Sequence, residues 1–169
     1  MIWPFSRRPM LADARPLYAA LVAEARRPRW YRNAGVEDTM DGRFAVLATV
    51  MALTDIRLGE GGDSAAAISP RLTEIFVDDM DSQLRQSGLG DPTLGKQVRG
   101  MVGMLAKRID AWRAAAGSPG KRIATARMSL YRDQDVSDAE ATKGLDFIDE
   151  FARKIATMDE DSLIQGDIQ

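Results

Sequence analysis

The sequence contains neither histidine nor cysteine, and this double absence decides most of what its side chains could do chemically. Ser-His-Asp and Cys-His catalysis is excluded, as are imidazole and thiolate metal sites and the usual proximal haem ligand. Disulfides are excluded too, which fits a reducing compartment. Carboxylates that could hold magnesium remain. Asp78, Asp79 and Asp81 fall close together, and a set of cations follows them, Lys96, Arg99 and Lys107. No Gly-rich phosphate loop follows a plausible strand, so nucleotide chemistry has little support. A net charge of −2 offers no global attraction to nucleic acid, which is not expected as a partner. The residues argue for recognition and against an enzyme, with no cofactor.

Two helices joined by a tight turn must position these residues. Gly88 stands where a helix ends in a left-handed residue, a conformation that costs glycine little. Asp91 offers a cap to the next helix and Pro92 fills its first position, while Ser69 and Pro70 repeat the device at the start of the preceding one. At about 100° per residue, Leu72, Ile75, Phe76 and Met80 share one side of the first helix and Glu74, Asp78, Asp81 and Arg85 the other. Asp79 projects from the apolar side. An unpaired carboxylate there is costly, so a structural ion pair is expected, with Arg43 first and Arg99 next as the partner.

The second helix runs from Pro92 to about Ala116, with Leu94, Val98, Met101, Val102, Leu105, Ile109 and Trp112 on one face. Lys96, Arg99, Gly103, Lys107 and Asp110 lie opposite, flanked by Gly95 and Gly100. Each interior glycine costs about 1 kcal/mol relative to alanine, so three of them imply close approach to that backbone. A neighbouring helix of the same domain is the nearer explanation, an external partner the other. Met80 and Met101 read as core gap-fillers, and Met104, at the edge of its apolar face, as the better surface candidate.

With 169 residues, 45% of them hydrophobic, the chain is long enough for one domain with a real core. Asp13 is expected to cap a first helix ending before Pro28, and Trp30 and Tyr31 to be core contacts. The run Phe44 to Leu53 is apolar all round, which marks a helix surrounded by others, and is too short for the roughly 20 residues of a membrane span. Gly59 to Ser64 reads as a flexible loop, and Ser137 or Asp138 as the cap of a last helix striped by Leu145, Ile148, Phe151 and Ile155. Strand signals are absent. The expected fold is all-α, a single-domain bundle of about six helices around a central apolar helix. It divides into an N-terminal segment (1–12), a helical domain (13–158) and an acidic, mobile tail (159–169). In residues 1–9, Trp3 and Phe5 beside Arg7 and Arg8 could touch an anionic membrane surface. The preferred reading is a terminus that is mobile or tucked onto its own domain.

Two blocks carry a resemblance. Phe76 to Asp81, Leu84-Arg85, Gly88 to Asp91 and Leu94 to Val98 form one; Arg27-Pro28, Trp30-Tyr31, Gly35-Val36, Asp38-Thr39 and Asp41 to Phe44 form the other. Together they resemble the ubiquinol-cytochrome c chaperone family, assembly factors of the cytochrome bc complex, respiratory complex III. The resemblance spans about Leu17 to Arg113. It departs from the family pattern at Glu37, where proline is expected, at Ala48-Thr49, where a histidine is expected, and at Leu105 to Arg108, where the family has a Phe-Tyr-Gly-Arg-like run. It implies a non-enzymatic chaperone that holds newly made cytochrome b, an integral membrane subunit, before it joins the complex. The lack of a presequence on a chain this short leads to the expectation of a bacterial member, cytoplasmic, at the inner face of the inner membrane. Eukaryotic relatives pair with a second small factor, so a small co-chaperone is a further candidate partner. The partner surface expected is Asp78 and Asp81 with Lys96, Arg99, Gly100, Gly103, Met104 and Lys107. Two other classes stay open: a helix-turn-helix nucleic-acid-binding protein with Lys96, Gln97 and Arg99 near the start of a recognition helix, and a helical module for a small ligand such as haem or quinone.

Overall fold

The computed structural model describes residues 13–88, 90–132 and 134–168, and within α6 it leaves the side chains of Asp91 and Pro92 undescribed. The expectations for residues 1–12 lie outside the described residues; α6 has Gly90 as its N-cap and begins at Asp91, so Asp91 and Pro92 sit one position further into the helix than expected. The elements are α1 (Arg15–Ala25), α2 (Pro28–Arg32), α3 (Met40–Gly59), α4 (Asp63–Ala66), α5 (Ile68–Gln86), α6 (Asp91–Ala115), α7 (Pro119–Leu130), α8 (Asp138–Thr157) and α9 (Glu160–Ile164). Six of them have eleven residues or more, and there is no strand among the described residues. The fold is the expected all-α bundle.

Helix α3 is its axis. Thr39 starts it by accepting the Gly42 N–H at 3.1 Å. Thirteen of its twenty residues are buried, so no side of its middle turns faces water. The two threonines on it satisfy themselves: Thr49 and Thr54 donate to the carbonyls of Ala45 and Val50 at 2.7 and 2.8 Å. Helices α1, α5, α6, α7 and α8 all pack on α3, with α5–α6 and α7–α8 as neighbouring pairs. Burial of each large side chain at these contacts, Phe76, Leu105 or Ile148 for example, contributes about 2–3 kcal/mol.

The other local start and stop signals hold with two further displacements. Ser137 and Glu140 form a reciprocal capping box on α8, and Gly88 takes the left-handed φ of +88°. Asp13 does accept the Arg15 N–H at 3.0 Å, one residue ahead of the expected position. Ser69, by contrast, is no cap. Helix α5 begins before it at Ile68, and the Ser69 hydroxyl instead donates to Asp55 on α3.

The acidic tail is the larger correction. Residues 159–168 return to the bundle, with Asp159 capping α9 and Leu163, Ile164 and Ile168 buried beside α1. Glu160 reaches across to accept the Gly62 N–H at 2.9 Å, which ties down the loop that composition marks as flexible. Three apolar residues spaced along an acidic segment are enough to fold it back. A Leu163→Ala variant should therefore lose about 2–4 kcal/mol in urea unfolding; an unchanged midpoint would mean that the tail is not packed.

Candidate functional site

Helices α1, α3, α5 and α6 do not close completely on one another. Between them lies a groove of about 180 Å³ walled by Val22, Phe44, Leu47, Met80, Leu84 and Met101, with Met40 at its lip. Met40 is 48% exposed, among the described residues one of the two large apolar side chains left most open to water. Three methionines in one groove give it walls that are apolar, polarisable and able to change rotamer, the properties that let a surface accept differently shaped apolar partners. Met80 is also a core residue, as expected, and Met101 is half-buried.

The polar groups of the groove come from separate helices. Asp79 accepts a hydrogen bond from the Tyr18 hydroxyl of α1 at 2.6 Å, not an ion pair from Arg43. Arg43 instead pairs with Asp38, five residues before it, at 2.8 Å. The reason is position: Asp79 projects toward α1, where a phenol is waiting, whereas Arg43 has a carboxylate in its own preceding turn. Burial first, and then the Asp79 carboxylate, push the Tyr18 hydroxyl well above its usual pKa and keep it a donor. The Arg43 guanidinium holds Asp38 below the usual carboxylate value. Arg26, also on the groove, has no ion-pair partner among the described residues.

The outer side of α6 adjoins the groove. Rotating about 100° per residue takes the surface from Met101 through Met104 to Gly100, Lys107, Lys96 and Gly103, with Arg99 beyond. A Cβ placed on Gly100 or Gly103 would meet nothing within 4 Å, and one on Gly95 would meet only the Arg99 side chain. Among the described residues no helix approaches that backbone, so the intramolecular explanation for the three glycines finds no partner there and the described residues leave the face bare. Lys96, Arg99 and Lys107 are exposed and make no ion pair among the described residues. Asp78 is exposed on α5, and Asp81 pairs with Arg85 at 2.7 Å.

Behind Met104 sits a cluster that sequence reasoning missed. Arg108 is 5% exposed, donates to the carbonyls of Met104 and Ser129 at 3.3 and 2.9 Å, and has no carboxylate partner among the described residues. Burial, and next the neighbouring Arg132, lower its pKa to about 10. The signal available was Arg108 itself, a lone cation at the junction of the apolar and polar faces of α6. The upstream block has a structural role: Glu24 is buried and paired with Arg27 and Arg29 at 3.0 and 2.7 Å. Arg29 continues to Glu150 on α8 at 2.8 Å, and Trp30, fully buried, donates to the Glu24 carbonyl at 3.1 Å.

The sequence profile described as ubiquinol-cytochrome C chaperone matches residues 32–169, which is most of the chain. The protein belongs to that family. The match extends well past Arg113, through α7, α8 and α9, and begins after α1, so Arg27, Pro28, Trp30 and Tyr31 precede the matched span. Among solved structures, the crystal structure of the Cbp3 homolog from Brucella abortus has the same fold, with a TM-score of 0.77 and 24% sequence identity over 92% of this chain and 86% of that one. No curated protein matches. Family membership places the protein among the chaperones of complex III assembly. No helix among the described residues is long and apolar enough to cross a membrane.

Because the Gly100 and Gly103 positions are open, Gly103→Ala should stabilise the isolated protein by about 0.5–1 kcal/mol. Gly42→Ala should unfold or strongly destabilise it, since the new methyl would collide with the Glu37 carbonyl. Thermal unfolding of the two variants checks both signs.

Proposed function

We propose that this chaperone is non-enzymatic and holds newly made cytochrome b until it enters the ubiquinol-cytochrome c reductase complex. It would do so in the cytoplasm, at the inner face of a bacterial inner membrane. The observation that carries the reading is the methionine-walled groove standing open beside a bare, cationic helix face on a chain of this family. A membrane subunit outside its bilayer exposes long apolar segments that water penalises, and a groove of flexible apolar side chains can cover such a segment without covalent chemistry.

The contact surface in this reading is the groove together with Gly100, Gly103 and Met104, with Lys96, Arg99 and Lys107 on one flank and Asp78 and Asp81 on the other helix. Glycines let a partner backbone come within close packing distance, as between helices in membranes. The surrounding cations and carboxylates would set orientation and encounter rate more than affinity. Release then needs no reaction, only a stronger competing site for the same apolar segment in the growing complex. A small co-chaperone could share this surface or cap it.

The test is genetic and biochemical together. Lys96→Glu, Arg99→Glu and Lys107→Glu combined, and separately Gly103→Leu, should leave the purified protein folded while reducing cytochrome b accumulation and complex III level several-fold in the source cell. Normal accumulation in both variants would contradict the assigned surface. Recovery of no cytochrome b with the wild-type protein from membranes would contradict the client.

A further inference from the structure

The groove ends against arginines. Met40 lines both the groove and an adjoining depression bordered by Asp41, Gly42, Tyr131 and Arg132. Phe44, part of the groove wall, has the guanidinium carbons of Arg108 and Arg132 at 5.7 and 6.0 Å from its ring centroid. Both arginines also touch Met104: Arg108 donates to its carbonyl and Arg132 to its sulfur, each at 3.3 Å. Two cations thus share one residue and one ring.

Their compensation is thin. Arg108 is bonded only to carbonyls, the one at Ser129 lying in the last turn of α7, where the helix dipole supplies about half a negative charge. Its Nε and the neighbouring Ser129 hydroxyl are both buried with no hydrogen-bond partner. The carboxylate paired with Arg132 is Asp41, at a distant 3.9 Å. Arg132 is moreover held at φ +52°, among the described residues the only non-glycine with a left-handed backbone, a conformation that costs an L-residue energy and that glycine adopts freely. On the opposite rim, Asp79 is already engaged by Tyr18 and Arg43 by Asp38, while Arg26 has no ion-pair partner among the described residues. The border is mixed: the groove carries Arg26 and Arg43 with Asp79, and the depression carries Arg132 with Glu37 and Asp41, yet among the described residues no carboxylate pairs with Arg132 more closely than Asp41.

We infer that the segment docking in this groove carries a carboxylate beside its apolar face, and that Arg132, backed by Arg108, receives it. The inference rests on the reading that an apolar client segment docks there, and it adds the sign of the charge that segment must bear. A carboxylate at this position supplies the counter-charge that the two guanidiniums lack and accepts bidentate bonds from Arg132. Without it, the apolar segment would still fill the groove but would gain nothing from its border.

Two fluorescein-labelled helical peptides of one apolar sequence test this, one with glutamates flanking the apolar face and one with glutamines in their place. Anisotropy titrations with the full chain should show the glutamate peptide binding about tenfold more tightly, with the advantage shrinking as salt rises. Arg132→Gly should abolish the preference while folding at least as well as the wild type, because glycine takes that backbone angle without strain. Equal affinity of the two peptides for the wild-type chain overturns this inference and leaves the groove reading standing. A preference that survives in Arg132→Gly also overturns it. Binding of neither peptide overturns both readings together.

Discussion

A helix with no polar side must be covered, and α3 imposes that condition on everything else in the molecule. Its unbroken buried run from Phe44 to Thr54 has to be enclosed by elements drawn from before and after it in the chain. Helix α1 and the α5–α6 and α7–α8 pairs do this, and the short tail helix α9 fastens α1 from outside. Because α3 is cylindrical and the helices around it pair off, the enclosure is incomplete where α1, α5 and α6 meet it. Methionine fills that place better than a rigid β-branched residue, since it can shield the core when nothing is bound and move when something is. The opening follows from how the core is covered.

The same constraint separates rigid from adaptable regions. Glu24, Arg27, Arg29 and Glu150 brace α1 and α2 against α8, with Trp30 and Phe147 in an edge-to-face contact at 5.7 Å beneath them. That side is closed by charge pairs and aromatic packing. The α5–α6 side carries the glycines, the unpaired cations and the methionines. In the proposed reading this division keeps the frame fixed while the client surface adapts. What a client would gain there is burial of apolar area and a few oriented charges, so that binding would be reversed by mass action alone.

Much of this architecture was legible in the residues. The apolar run of α3 admits only a buried helix, the Gly88 junction forces α5 and α6 to be neighbours, and Ser137 with Glu140 writes the start of α8 in side-chain chemistry. The misses share a cause: each depended on which residues distant in the chain come together. Asp79 was correctly seen as a carboxylate needing a partner, but Tyr18, sixty-one residues away, could not be read as that partner. The tail was judged by its acidity, although the spacing of Leu163, Ile164 and Ile168 was enough to bury it. The three glycines of α6 signalled a close approach, but only packing shows that none of the described residues makes it. The groove itself belongs to four helices at once and leaves no local mark.

The central claim is that the client is held at the methionine-walled opening and not elsewhere on the bundle. Site-specific photocrosslinking in cells tests it most directly, with benzoylphenylalanine placed at Met101 in the groove and, in a second strain, at Asp146 on the exposed side of α8. The account predicts a covalent adduct with cytochrome b from position 101 and none from position 146. An adduct from position 146 with none from position 101 would contradict it.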